Sequence, residues 1–398
     1  MEISPLTGFM TQPSSLEYTH KSKELVIGIP KEDVKSENRI ALAPLDVEIL
    51  CEMGHKVIIE NEAGLAANFE DHEFSERGAQ ITHHKSEVFA ADIVLKIAPP
   101  TENEIEMLHN GHAIFSNLSI ANQSEEKIRR LMQKKITSIS FEHLKDEHHT
   151  HPVVRSMSEV SGMASIIVAA EYLSNVTKGK GIVLGGITGI KPTEVIILGA
   201  GAASEYAART ALGLRALVKV FDNSLYRLRQ LQNDLGQTVH TSVLHPTLLS
   251  KALKSADVVI GALKLSEPAS TYIVPEEMVE GMKAGSVIVD ISMLQGGCFE
   301  TSKLTTHDAP VFTKHGVVHY CVSNITSRVA HTSSLALSNI FSPIIQRIGE
   351  SGGVTEYLKE NQGIRYGTYI FNGYLTNNQI GNIFGINTKD INLLMAAL

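Results

Sequence analysis

Tryptophan is absent from the 398 residues, cysteine occurs only at positions 51, 298 and 321, and Lys plus Arg (35) fall short of Asp plus Glu (43). Each scarcity excludes something. Three widely spaced cysteines cannot form a disulfide framework and fit a reducing cytoplasm. A net charge of −8 leaves no basic stripe with which to neutralise nucleic-acid phosphates. No apolar run reaches membrane-spanning length; the stretch Gly162 to Ala170 is closed by Glu159 and Glu171. The first 23 residues have neither a basic start nor an apolar segment, so they read as a polar tail or an arm on a partner, not as a signal peptide. With 43% hydrophobic and 20% charged residues, the remainder has globular proportions and escapes the compositional signature of disorder.

What is present is a regular alternation. Apolar strands are expected at Glu24–Pro30, Lys56–Glu60, Asp92–Ile97, His112–Leu118 and Ile136–Phe141, with helical segments such as ENEIEMLH and SEEKIRRLMQKK between them. This pattern predicts an α/β fold with a parallel sheet covered on both faces. A polar loop, EHLKDEHHTHP, precedes a predicted capping box at Ser156–Glu159 and a helix through Tyr172. A second strand–helix series follows the glycine-rich stretch 178–192. The organisation expected is a tail (1–23), a substrate domain made of 24–152 and 331–398, and a nucleotide domain of 153–330, with the active site in the cleft between two doubly wound sheets.

The strongest local signal lies at 194–222. A strand, EVIIL, runs into Gly199-Ala-Gly201-Ala-Ala-Ser204, a helix follows, and a second strand ends in Asp222. Gly199 permits the tight turn, Gly201 lets backbone N–H groups approach a pyrophosphate, and the helix start adds partial positive charge. Asp222 is placed to accept from ribose hydroxyls and to repel a 2′-phosphate, which predicts NAD as the cofactor. The third glycine of such a fingerprint is Ser204 here, and looser packing is expected around it.

Taken in order, IGIPKEDVKSENRIALAP, DIVLKIAPP, MSEVSGMAS, GKGIVLGGITGI, the GAGAAS turn, SVIVDIS with QGG, and HYCVSNITSRVAHTSSLALSN resemble the alanine dehydrogenase family, which shares a superfamily with the nicotinamide nucleotide transhydrogenase α-subunit. The resemblance implies NAD-dependent oxidative deamination of L-alanine to pyruvate and ammonia by a homo-oligomer acting on a small amino or keto acid. It further implies that Arg39 binds substrate and that Lys96 holds the carboxylate or polarises the keto oxygen. Ser158, Arg227, Leu263, Ile291 and Ile325 match cofactor contacts. Two catalytic positions depart: Ser119 stands where the family has histidine, and Leu294 where it has aspartate. Neither replaces a proton carrier at neutral pH. The alternatives left open are an impaired NAD-binding homologue with a regulatory role and a related dehydrogenase acting on another small acid. His109, His112 and His331 are candidates for a relocated base. The His149-x-His151 loop reads as a solvated loop and Cys298 as a packed thiol; no metal site is expected.

Overall fold

The computed structural model describes residues 22–118, 120, 123–263 and 273–398. Strands β1 (Val26–Ile29), β2 (Lys56–Glu60), β3 (Gln80–Thr82), β4 (Ile93–Leu95), β5 (Ala113–Ser116) and β6 (Thr137–Ser140) belong to one sheet. Strands β7 (Glu194–Leu198), β8 (Leu217–Phe221), β9 (His240–Ser242), β10 (Val258–Gly261), β11 (Val287–Asp290), β12 (Val311–Lys314) and β13 (Val317–Tyr320) form the other. Two late strands, β14 (Thr368–Phe371) and β15 (Tyr374–Leu375), return to the first sheet, giving the order β15-β14-β6-β5-β4-β1-β2-β3. The second sheet runs β12-β13-β11-β10-β7-β8-β9. Both are parallel except at one end, where β14 and β15 and, in the other sheet, β12 run antiparallel.

The central strands carry side chains that can be buried on both faces, as a parallel sheet covered by helices requires. Every residue of EVIIL, VVIG and VIVD is buried. The helix Glu125–Gln133 has one apolar stripe, buries Ile128 and Leu131 and is capped by Ser124, which accepts from the Lys127 N–H.

The helix Pro152–Leu173 starts four residues before the predicted capping box. Proline suits the first helical turn, where its missing N–H is not needed, so Pro152 opens the helix and Ser156 lies inside it. This helix is long and apolar enough to cross a membrane by composition alone, but Ile166, Val168, Ala169 and Leu173 belong to the core of the second sheet. It crosses the helix Ala202–Gly213 so closely that a Cβ on Gly162 would lie 2.2 Å from the Ala203 carbonyl oxygen. The helix Ala330–Glu350 places Leu337, Phe341, Ile345 and Ile348 in the core of the first sheet.

One buried side chain links the second sheet to pH. His319 on β13 is fully buried, stacks on Phe312, lies 2.8 Å from Thr301 Oγ1 and donates through Nδ1 to the Val317 carbonyl at 3.0 Å. Burial drives its pKa down to about 4. The unfolded chain protonates this imidazole near pH 6.5 and the folded chain does not, so the contribution is complete above that value and is lost as pH falls toward 4. Urea titrations at pH 7 and pH 4.5 should differ by a component of order 2–3 kcal/mol that His319→Asn removes. An unchanged pH slope in that variant counts against this assignment.

Candidate active site

In each sheet the strand order reverses at one place, between β1 and β4 in the first and between β7 and β10 in the second. Ligands of open α/β sheets gather outside the carboxyl ends of the strands at such points. Gly199, Gly201, Asp222, Leu263, Ile291 and Lys96 fall at these two edges.

At the second edge, the turn after β7 holds Gly199 at φ +109°, where a Cβ would meet the Ala262 carbonyl oxygen at 2.5 Å. Only glycine combines that backbone conformation with that approach. Gly201 is the opposite case: a Cβ there meets nothing within 4 Å, so open space lies over the start of the helix Ala202–Gly213. Asp222, just beyond β8, is buried and accepts from the Ala200 N–H at 2.9 Å and the Ser224 N–H at 2.7 Å. Its carboxylate thereby ties the glycine turn to the next helix and keeps further acceptor sites. Ser204 is fully buried, and its hydroxyl has no partner among the described residues. An open cradle at a helix start, a fixed acidic residue beyond the neighbouring strand and unpaired first-turn N–H groups together fit a dinucleotide.

The other cofactor candidates lie along the same edge. Leu263 follows β10, Ile291 follows β11, and Ile325, which is buried, follows β13. Ser292 Oγ donates to the carbonyl of Leu263 at 2.9 Å and joins two of these loops. Ser158 is half-buried on the Pro152–Leu173 helix, and Arg227 is exposed on the helix Leu225–Leu235. Asp290 organises the loop that carries Leu294: its carboxylate accepts from Ser292 N–H, Cys298 N–H and Ser302 Oγ at 3.0, 2.8 and 2.8 Å, while burial pushes its pKa up. Leu294 is 62% exposed on the turn after β11 and offers no proton. Ser119 lies outside the described residues.

At the first edge, Lys96 follows β4 and Glu32 follows β1 across the switch point. Lys96 Nζ lies 2.6 Å from Glu32 and 3.4 Å from Glu104, and Glu104 also pairs with Lys85 at 2.8 Å. Lys96, Glu32 and Glu104 are all buried. Burial opposes the charge on Lys96, but the two carboxylates more than offset it and hold its pKa above the ordinary lysine value. A cavity of about 490 Å³ opens over this cluster, lined also by Lys31, Thr101 and Lys127. Arg39 faces other partners. Its Nε and Nη2 donate to Glu37 at 2.7 and 2.6 Å, and Nη1 lies 3.3 Å from Met157 Sδ on the Pro152–Leu173 helix. Glu37 in turn accepts from Asn324, which follows β13 of the second sheet, so Arg39 stands where the two units meet, with outer N–H groups still unassigned.

The residues that sequence reasoning missed are the carboxylates, Glu32 and Glu37. Their signal is plain in retrospect: acidic residues in the same short segment as a candidate arginine, IPKEDVKSENR, are natural counter-ions for cations due to be buried.

The candidate histidines sit elsewhere. His109 and His112, with ring centroids 5.5 Å apart, precede β5 and so occupy the amino edge of the sheet. His331 donates through Nδ1 to the Ala67 carbonyl oxygen at 2.8 Å and stacks on Phe69. Cys298 is fully buried with its thiol pushed up to about 12, which removes it as a nucleophile. Among the described residues, Glu276, Glu280 and His315 come together as metal-type ligands, but Lys314 Nζ already lies 2.7 Å from Glu276.

Comparison with known proteins identifies the family. The alanine dehydrogenase/PNT N-terminal domain family matches residues 28–161, and the alanine dehydrogenase/PNT C-terminal domain family matches 165–378. The chain is 39% identical over 368 residues to an alanine dehydrogenase of Staphylococcus saprophyticus, covering 92% of this chain and 99% of that one. It is 39% identical over 366 residues to alanine dehydrogenase 2 of Staphylococcus aureus, covering 92% and 98%. Among solved structures, an L-alanine dehydrogenase superposes with a TM-score of 0.84 at 32% identity over 90% of this chain and 99% of that one. A transhydrogenase from Sinorhizobium meliloti superposes at 0.76 with 23% identity over 89% and 99%, which speaks to the fold alone.

Proposed function

This chain belongs to the alanine dehydrogenase/PNT family, and from that premise we propose that it interconverts L-alanine with pyruvate and ammonia, with NAD as the redox partner. The observation that carries the reading is the pairing of a dinucleotide cradle at one switch point with a fixed guanidinium, Arg39, where the second unit meets the first. Bound NAD supplies the hydride acceptor for the substrate Cα. The chain's own part is to hold the substrate. The outer N–H groups of Arg39 bind the carboxylate in a fixed plane, and Lys96 and Lys85 with Glu32 and Glu104 set a polar, charge-balanced wall beside it. The negative charge of Asp222 would repel a 2′-phosphate, which favours NAD over its phosphorylated form.

The proton steps are where this chain is weakest, because Ser119 and Leu294 replace imidazole and carboxylate. Loss of one acid–base group typically costs about 10²–10⁴ in rate. A second reading follows from the exposed leucine at 294: a protein that binds NAD and a small acid with little turnover. One assay separates the two. Purified protein is given L-alanine with NAD, pyruvate and ammonium with NADH, and a panel of other small amino and keto acids. Slow alanine-dependent NADH formation, raised about 100-fold or more by Ser119→His with Leu294→Asp, is the expected result. No turnover with any acid, in wild type or variant, overturns the dehydrogenase reading.

A further inference from the structure

Arg39 is not held by its own loop alone. The Glu37 carboxylate accepts from the Arg39 backbone N–H at 3.0 Å, from Nε at 2.7 Å and from Nη2 at 2.6 Å. Its fourth position is taken by Asn324 Nδ2 at 2.8 Å. Glu37 and Arg39 follow β1 of the first sheet; Asn324 follows β13 of the second. The same amide donates to the Ser36 carbonyl at 3.2 Å, and the neighbouring Ser327 Oγ accepts from the Asn38 N–H at 2.7 Å. Asn324 is itself steadied at its side-chain oxygen by Thr326 Oγ1, which donates at 3.0 Å, and at its backbone carbonyl by His307 Nε2, which donates at 3.1 Å. Glu37 is only 4% exposed, so all four acceptor positions are filled without water.

An ion pair serving only to pack one loop needs no donor from the opposite unit. Here the orientation of the guanidinium depends on the carboxylate, and the orientation of the carboxylate depends on an amide contributed by the other sheet. We propose that Glu37 and Asn324 are positioning residues that register Arg39 against the nucleotide-binding unit, so that affinity for a substrate carboxylate depends on this contact between the two sheets. The inference rests on the reading above, that Arg39 holds the substrate carboxylate. Displacement of an orienting group by about 1 Å is enough to cost two orders of magnitude in such a site.

The test uses the full chain and binding in place of turnover. NADH is bound first and its affinity measured from its fluorescence; pyruvate is then titrated into the complex. Asn324→Ala removes the amide without stranding a charge. It should weaken pyruvate about tenfold or more, as loss of a hydrogen bond to a charged group does, while NADH affinity and the melting temperature stay near wild type. Asn324→Asp, which sets a second carboxylate against Glu37, should weaken pyruvate further. If Asn324→Ala does not fold, Asn324→Ser carries the same expectation. A purely structural contact would move stability and NADH affinity together; unchanged pyruvate affinity in both variants overturns the proposal. A wild-type NADH complex that responds to no keto acid is a different result: it overturns the substrate reading itself.

Discussion

Lys96→Met should destabilise the protein by about 3–5 kcal/mol, because removing one partner of a buried ion pair strands the other. Glu32 is the group left exposed to this cost. It is buried, it accepts from the Ile97 N–H at 2.5 Å, and burial already raises its pKa despite the neighbouring lysine. Glu104 keeps Lys85 and should suffer less. The double variant Lys96→Met with Glu32→Gln should recover most of the loss, since replacing both members of a buried pair is often near neutral. Urea denaturation of the three proteins measures this directly. A single variant within about 1 kcal/mol of wild type would falsify the view that this cluster is a closed electrostatic unit. The recovered double variant has a second use. If it still binds pyruvate in the NADH complex, Lys96 shapes the pocket wall and does not hold the carboxylate; if binding is lost while folding is intact, the lysine touches substrate.

The second large effect separates two glycines that look alike in sequence. Gly199→Ala forces a Cβ against the Ala262 carbonyl in a left-handed conformation, so folding itself should weaken by about 1–3 kcal/mol or more. Gly201→Ala adds a methyl group into open space, so stability should be unchanged or slightly improved. That open space is where the pyrophosphate must approach. NADH affinity should therefore fall in both variants, by roughly tenfold or more (about 1.4 kcal/mol) for Gly201→Ala. Thermal melts paired with NADH titrations distinguish the cases. A Gly201→Ala protein that binds NADH as wild type does would remove the pyrophosphate from this turn.

How much of this was legible in the sequence follows from how local each signal is. The strand–turn–strand unit at 194–222 was readable because its glycines, helix and acidic residue are dictated within thirty residues of chain. The apolar central strands were readable because burial on both faces leaves an unbroken run, as in VIVD. The short edge strands β3, β9 and β12 carry no such run; HTS on β9 has no residue fully buried. For β14 the apolar run TYIF is present, but its partner is β6, and nothing local specifies that pairing. The start of the Pro152–Leu173 helix was misplaced because a serine–glutamate spacing inside a helix mimics a cap. The candidate cations were found by resemblance, whereas their counter-ions were not, because a sequence does not show which charges will be buried.

The return of β14 to the first sheet has a consequence for how the protein is made. Thr368 pairs with Ile139, so the edge of the first sheet is completed by residues synthesised long after its other strands. Until they arrive, β6 presents an unpaired backbone, the feature that invites association with other chains. The second sheet draws all its strands from Glu194 to Tyr320 and has no such wait. Domains generally fold as units during synthesis. In this chain the vectorial order is therefore inverted: the unit emerging second can close first, and the unit emerging first stays open until β14 has left the ribosome.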